Sequence, residues 1–113
     1  MIYGMNEDVD ILRKKTNGLG PADLLAFVLK RFGSRIGFAT SFGAEDQVLT
    51  DMLCSLSKSV CFFTLDTGRL PQETYDCMAA TQQKYGITID IVFPQREQVE
   101  EMVNRHGPNL FYD

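Results

Sequence analysis

Three short apolar runs, each followed by a stretch of helical periodicity, constrain the fold of this chain more than any other feature of its 113 residues. The runs are residues 35–40, Val60-Cys61-Phe62-Phe63-Thr64-Leu65, and 87–93. After the first, Val48, Leu49, Met52, Leu53 and Leu56 recur at helical spacing from about Glu45; after the second, Tyr75, Met78 and Ala79 do so over 71–85; after the third, Val99, Met102 and Val103 do so over 96–106. Ahead of them, Gly20-Pro21 suits a helix start, Leu24, Leu25, Val28, Leu29 and Phe32 form its apolar stripe, and Gly33 is a natural stop. Alternation of this kind, with short connections, predicts an α/β fold: a parallel sheet in right-handed βαβ units, with helices on both faces. The second run is apolar at nearly every position, which suits a strand covered on both sides.

Composition narrows the function classes. With 44% hydrophobic and 23% charged residues the chain suits one soluble domain. No apolar run approaches the roughly 18–20 residues needed to cross a bilayer, and the first eight residues are too acidic and too broken for a signal peptide, so no membrane partner and a cytoplasmic location are expected. A net charge of −4 argues against a nucleic-acid surface. Cys54, Cys61 and Cys77 form no Cys-x-x-Cys pair, so neither metal nor disulfide is indicated and they read as buried or inert thiols. Residues 1–19 read as a lead-in with a short helix around 8–15, and 20–113 as the body of the fold.

Chemistry concentrates at two strand-to-helix turns. Thr40-Ser41-Phe42-Gly43-Ala44-Glu45-Asp46 joins the first strand to its helix, where free backbone N–H groups and the positive end of the dipole can hold an anion without a lysine. Gly43 lets backbone approach a ligand closely, Thr40 and Ser41 add hydroxyls, and Glu45 and Asp46 suit either dipole complementation or ligand contact, spacing favouring the former. The second turn, Leu65-Asp66-Thr67-Gly68-Arg69, reads equally well as ordinary turn chemistry or as a nucleoside site, with backbone near Leu65 at the edge of a base and Thr67 and Gly68 beside a ribose or phosphate. Arg69 can supply charge to the ligand, though a lone arginine there is more often solvated or a structural ion-pair partner. If the first two strands are parallel neighbours, both turns emerge at the carboxyl edge of the sheet, where open α/β folds bind ligands. Neither a Walker loop nor a Gly-x-Gly-x-x-Gly fingerprint is present. His106, the only histidine, suits a helix C-terminus, and Phe42, Phe62, Phe63 and Phe93 suit core or pocket wall.

Taken together, Ala39-Thr40-Ser41-Phe42-Gly43-Ala44-Glu45-Asp46, Leu65-Asp66-Thr67-Gly68-Arg69-Leu70-Pro71-Gln72-Glu73-Thr74-Tyr75 and Gly107-Pro108-Asn109-Leu110-Phe111-Tyr112 resemble the adenylyl-sulfate and phosphoadenylyl-sulfate reductase family, with motifs closer to the adenylyl-sulfate branch. The resemblance implies a Rossmann-like fold of the adenine-nucleotide α-hydrolase type, a three-layer sandwich incomplete in this chain. It implies a nucleotide site lined by residues 40–46 and 65–69, with adenosine near the second turn. It also implies reduction of adenylyl sulfate or phosphoadenylyl sulfate to sulfite by way of a cysteine thiolate, with thioredoxin or glutathione as reductant. A four-iron, four-sulfur cluster is expected in the full-length adenylyl-sulfate type. None of Cys54, Cys61 and Cys77 matches the family's nucleophile or cluster positions, so this chain reads as the nucleotide-binding part, inactive alone.

Two other readings stay open. Related ATP pyrophosphatases carry a Ser-Gly-Gly-x-Asp-Ser loop where this chain has Ser41-Phe42-Gly43-Ala44-Glu45-Asp46, with Phe42 in place of the first glycine, which counts against ATP pyrophosphate cleavage; an adenylating enzyme is the alternative reading. A non-catalytic nucleotide-binding or subunit-pairing module is the other. A three-stranded sheet buries little, which predicts marginal stability or self-association, with a homo-oligomer as one way to complete it.

Overall fold

The computed structural model describes residues 2–112; Met1, at the head of the expected lead-in, and Asp113, at the end of the expected nucleotide-binding part, lie outside the described residues. Its elements, in chain order, are α1 (Ile2–Thr16), α2 (Pro21–Phe32), β1 (Gly37–Ala39), α3 (Ala44–Leu56), β2 (Cys61–Leu65), α4 (Gln72–Tyr85), β3 (Ile89–Val92) and α5 (Arg96–His106). The helix in the lead-in is longer than the 8–15 expected from sequence. Gly20-Pro21 opens α2 as expected, with Pro21 at a position whose missing N–H would have no intrahelical partner. Gly86 closes α4 in the left-handed conformation, φ 62° and ψ 38°, where a Cβ would be strained. The first strand is shorter than 35–40 because Gly33, Ser34 and Arg35 continue α2 as a 3₁₀ turn. Thr40 still donates its N–H to the Phe63 carbonyl at 2.9 Å, so pairing runs one residue past β1.

The sheet is parallel with strand order β1-β2-β3. Gly37 pairs Cys61, Phe38 pairs Phe62 and Ala39 pairs Phe63; Phe62 pairs Ile89 and Leu65 pairs Val92. Side chains alternate along a strand, so Phe38, Phe62, Thr64 and Ile89 share one face, while Ala39, Cys61, Phe63, Leu65 and Val92 share the other. The core lies on the first face. Leu53 of α3, Phe62 of β2, Met78 of α4 and Ile89 of β3 are buried there, with Leu25 and Leu29 of α2 packed against them. The Phe38 and Phe62 rings meet edge to face at 6.1 Å and 89°, a favoured aromatic geometry.

The expectation of helices on both faces is corrected by this topology. Two right-handed crossovers made in the same direction, β1 to β2 to β3, place α3 and α4 on the same side. The opposite face is open: Leu65 is 66% and Val92 46% exposed, and Cys61, expected to be buried, is exposed. The second strand is therefore covered on one side only, and Phe63 is half-buried.

Helix faces are also rotated from the expected ones. On α3, Val48 is 60% exposed and Leu56 is exposed, while Thr50 is buried; on α4, Ala79 is exposed and Thr81 is buried. Both threonines return their hydroxyls to their own helix, Thr50 to the Asp46 carbonyl at 2.9 Å and Thr81 to the Cys77 carbonyl at 2.7 Å. A hydroxyl satisfied in this way can enter a core at little cost. Met102, expected to face inward on α5, is exposed, whereas Val99 and Val103 are half-buried.

Candidate functional site at the carboxyl edge of the sheet

Because β1 and β2 are parallel neighbours, the turns that follow them leave the same edge of the sheet, as the sequence predicted. The first turn begins at Thr40, 4% exposed, and ends at Gly43, which precedes α3 with no side chain capping it. The N–H groups of Ala44, Glu45 and Asp46 have no acceptor among the described residues, so the start of α3 is an open set of donors at the positive end of its dipole.

Asp46 spends its carboxylate on the loop itself. Its Oδ2 accepts the Ser41 N–H at 2.8 Å and the Ser41 hydroxyl at 2.9 Å. These two bonds, the backbone one foremost, hold its carboxyl below the ordinary carboxylate range, with the Gly43 N–H assisting and burial opposing. Asp46 thus braces the loop and leaves the first N–H groups of α3 without a side-chain cap. It leaves a fixed negative charge inside the loop, so an anion at this turn must take the donors of α3 rather than those of Ser41.

Phe42 is the unexpected member of this turn. Among the described residues it is the one non-glycine with positive φ, at 65°, and its N–H donates to the Thr40 hydroxyl oxygen at 3.1 Å. Conformational freedom is thus needed at Phe42, whereas Gly43 sits at φ −65° and ψ 166°, which any residue adopts. What Gly43 provides is space: a Cβ there would lie 3.1 Å from Glu45 Oε1, since the Glu45 carboxylate folds back over it.

In the second turn Asp66 is 3% exposed, and its Oδ1 accepts the Gly68 N–H at 2.6 Å and the Tyr75 hydroxyl at 2.9 Å. Its own N–H donates to the Val92 carbonyl at 3.0 Å, which fastens the turn to β3. The Tyr75 hydroxyl is pushed up from its usual range by burial first and by the Asp66 carboxylate second. Asp66 is therefore a brace of the turn, and Gly68, at φ 80°, is the position where the turn requires glycine. Thr67 and Arg69 point out of the fold and are exposed. Arg69 donates from Nη1 to the Pro108 carbonyl at 3.0 Å and lies over the Phe111 and Tyr112 rings at 5.2 and 5.9 Å.

Leu65, Asp66, Thr67, Val92, Phe93 and Pro94 line a cleft of about 290 Å³ at this edge, close to the lower end of the range for small-molecule sites. Phe93, 61% exposed, forms one wall of it, as one of the two roles the sequence allowed. Sequence reasoning did not assign Val92, Pro94 or Tyr75 to the site. For Tyr75 a signal existed, since a tyrosine placed on an inward face needs a hydroxyl partner; for Val92 and Pro94 only the strand register brings them beside Leu65.

Two of the three cysteines lie away from this edge. Cys61 opens β2 at its amino end, Cys54 lies near the far end of α3, and Cys77 is on α4, where its sulfur accepts a hydrogen bond from Gln47 at 3.3 Å. A four-iron cluster needs four thiolates converging on one point. Three cysteines on three elements do not supply them, and no group of three metal-ligating side chains converges among the described residues. Among the described residues no helix is long and apolar enough to cross a membrane.

Comparison with known proteins gives this edge its context. The chain is 37% identical over 105 residues to the adenosine 5'-phosphosulfate reductase of Pseudomonas aeruginosa, a match covering 93% of this chain and 39% of that protein. It is 41% identical over 91 residues to the enzyme of the same name from Allochromatium vinosum, covering 80% and 35%. It is 36% identical over 107 residues to the chloroplastic 5'-adenylylsulfate reductase 1 of Arabidopsis thaliana, covering 95% and 23%. The chain thus spans well under half the length of these relatives. The model of the phosphoadenosine phosphosulfate reductase domain matches residues 35–113, a stretch that takes in both turns, the cleft and the Gly107–Tyr112 motif. With the parallel α/β sheet and its two edge turns, that match places the chain in the phosphoadenosine phosphosulfate reductase domain family.

Proposed function

We propose that this chain is the nucleotide-binding part of a sulfonucleotide reductase, acting on adenylyl sulfate or phosphoadenylyl sulfate. The observation that carries the proposal is the convergence of the two turns at one sheet edge, an uncapped helix start beside a largely apolar cleft. In this reading Thr40, Ser41, Phe42, Gly43, Ala44, Glu45 and Asp46 form the turn that receives the phosphosulfate end. Free N–H groups at the start of α3 are the donors, and Asp46 keeps the loop in shape. Leu65, Asp66, Thr67, Gly68 and Arg69 form the turn that receives adenosine, with the exposed apolar side chains of Leu65, Val92 and Phe93 against the base.

Reduction requires a thiolate that attacks the sulfate sulfur, so that the S–O bond breaks and AMP or adenosine 3',5'-bisphosphate leaves with the electron pair. Two reducing thiols, the pair of a thioredoxin dithiol or one from each of two glutathione molecules, then release sulfite, restore the thiolate and leave as a disulfide. Cys61 opens β2 at its amino end, opposite the carboxyl edge. Cys54 lies ten residues into α3, about 15 Å along its axis from the donors of the loop. In this reading the three cysteines do not supply the thiolate that the reduction needs, so the 113 residues alone should bind nucleotide without turning it over. Residues 20–113 would constitute the nucleotide-binding unit and 1–19 its lead-in. A cytoplasmic setting, with neither nucleic acid nor membrane as partner, accords with the acidic chain and its small-molecule cleft.

Calorimetric titration tests the proposal, with AMP, adenylyl sulfate, the 3'-phosphorylated nucleotide and ATP as ligands. Adenylyl sulfate or AMP should bind, and both Gly43→Val, which crowds the loop, and Phe93→Ala, which removes an exposed cleft wall, should weaken binding by about tenfold. Absence of binding by every nucleotide, or magnesium-dependent ATP hydrolysis in place of binding, would overturn it.

A further inference from the structure

The sequence allows Arg69 to supply charge to a ligand, yet among the described residues its side-chain contacts are all to one distant segment. Its guanidinium donates to the Pro108 carbonyl at 3.0 Å and lies over the rings of Phe111 and Tyr112. That segment is two successive turns, closed by the Leu110 N–H on the Gly107 carbonyl at 3.3 Å and the Tyr112 N–H on the Asn109 carbonyl at 2.8 Å. Phe111 and Tyr112 are 45% and 72% exposed, so apolar burial does little to hold them. Only a planar guanidinium can donate in its plane to a carbonyl while offering its faces to aromatic rings.

We propose that Arg69 is a positioning residue, which clamps residues 107–112 beside the 65–69 turn so that they form a wall of the nucleotide site. This rests on the nucleotide-site reading above and changes the part Arg69 plays in it: its charge is committed to the protein, and it acts on the ligand through the segment it holds. The clamp joins the start of α4 to the end of α5 across 39 residues of sequence. A ligand lying in the cleft between Leu65 and Phe93 then meets an edge already in place, with the ordering cost of residues 107–112 met before it arrives.

Hydrogen-exchange NMR on this chain separates the possibilities. In Arg69→Ala the Leu110 and Tyr112 amides should exchange about tenfold faster, as expected for losing one charge-assisted hydrogen bond and two exposed ring contacts, while the Phe63 and Leu65 amides of β2 stay unchanged. Arg69→Lys should not rescue, and Phe111→Leu combined with Tyr112→Leu should reproduce the loss without touching Arg69. In the unsubstituted chain AMP should slow exchange at Leu110 and Tyr112, an effect that Arg69→Ala abolishes. Loss of AMP affinity in Arg69→Ala with exchange at 107–112 unaltered would overturn the proposal in favour of direct anion contact. Unaltered exchange with unaltered affinity would overturn it in favour of a solvated arginine. Failure of the unsubstituted chain to bind AMP would sink the nucleotide-site reading and with it the wall, whereas exchange in the free chain would still judge the clamp itself.

Discussion

The left-handed backbone at Phe42 supports a prediction whose sign is unusual. At ordinary negative φ, glycine is less stable than alanine by about 0.5–1 kcal/mol. At φ 65° the preference inverts, because a Cβ in that conformation costs roughly 1–2 kcal/mol. Phe42 is half-buried and packs against the core cluster. Full truncation of a buried phenylalanine costs about 3–5 kcal/mol, so removing this ring should cost about 2. Phe42→Ala loses the ring and keeps the strain; Phe42→Gly loses the same ring and sheds the strain. The expected order of stability is wild type, then Phe42→Gly, then Phe42→Ala, with about 1 kcal/mol between the two variants. In urea, at about 2 kcal/mol per molar, the variant midpoints should differ by about 0.5 M. A Phe42→Ala midpoint equal to or above that of Phe42→Gly would refute the reasoning. Strain of this size persists only where surrounding structure enforces it, and here Thr40 and the Asp46–Ser41 pair hold both sides of Phe42.

Asp66→Ala should lower stability by about 2–3 kcal/mol in urea titrations, since the buried Asp66 carboxylate accepts both the Gly68 N–H and the Tyr75 hydroxyl; a loss below about 1 kcal/mol would contradict the bracing role, and Tyr75→Phe should shift stability in the same direction by less. Asp46 titrates below its ordinary value of 3.8 in the folded chain, so its contribution is present above that value and is lost as pH falls through the lowered one. Urea midpoints between about pH 5 and pH 2 should fall less steeply in Asp46→Asn than in wild type, and parallel profiles would dismiss the Ser41 bonds as its cause. The open sheet face should drive concentration-dependent association in light scattering. Leu65→Lys, at a position 66% exposed, should reduce it without lowering the urea midpoint, and equal association in both proteins would exonerate that face.

What could be read from the sequence is what short-range chemistry fixes. Gly20-Pro21 and Gly86 delimit helices because of φ and N–H constraints that act within a residue or two, and the two turns are legible because a strand-to-helix junction is a local event. Burial was legible only in part. Val48 and Leu56 suited a core face, but α3 turns Thr50 inward in their place, which is permitted because that hydroxyl bonds back to Asp46. No periodicity separates a threonine satisfied by its own helix from one that needs water. The clamp of Arg69 on Pro108, Phe111 and Tyr112 was beyond reach for a different reason: a contact across 39 residues leaves no pattern in one sequence.

The reading of Val60 to Leu65 as a strand covered twice shows where pattern and topology part. An apolar run states what each side chain prefers, and only strand order decides whether a partner is present. With the order β1-β2-β3 both crossover helices fall on the face of Phe62, and Cys61, Phe63 and Leu65 are left on a face that these helices do not cover among the described residues. The same order bears on the site. Open α/β sheets hold ligands in the crevice where strand order reverses, and that crevice needs a strand on each side of the loop. Here β1 is the edge strand, so the Thr40–Gly43 loop is flanked by β2 on one side and by no strand of the described residues on the other. The cleft between β2 and β3, by contrast, has walls on both sides in Leu65 and Phe93. Affinity of this chain for a nucleotide should therefore reside mainly in the adenosine moiety, with AMP and adenylyl sulfate binding nearly alike. A large advantage for adenylyl sulfate would mean that the uncapped start of α3 holds the sulfate end without a second strand beside it.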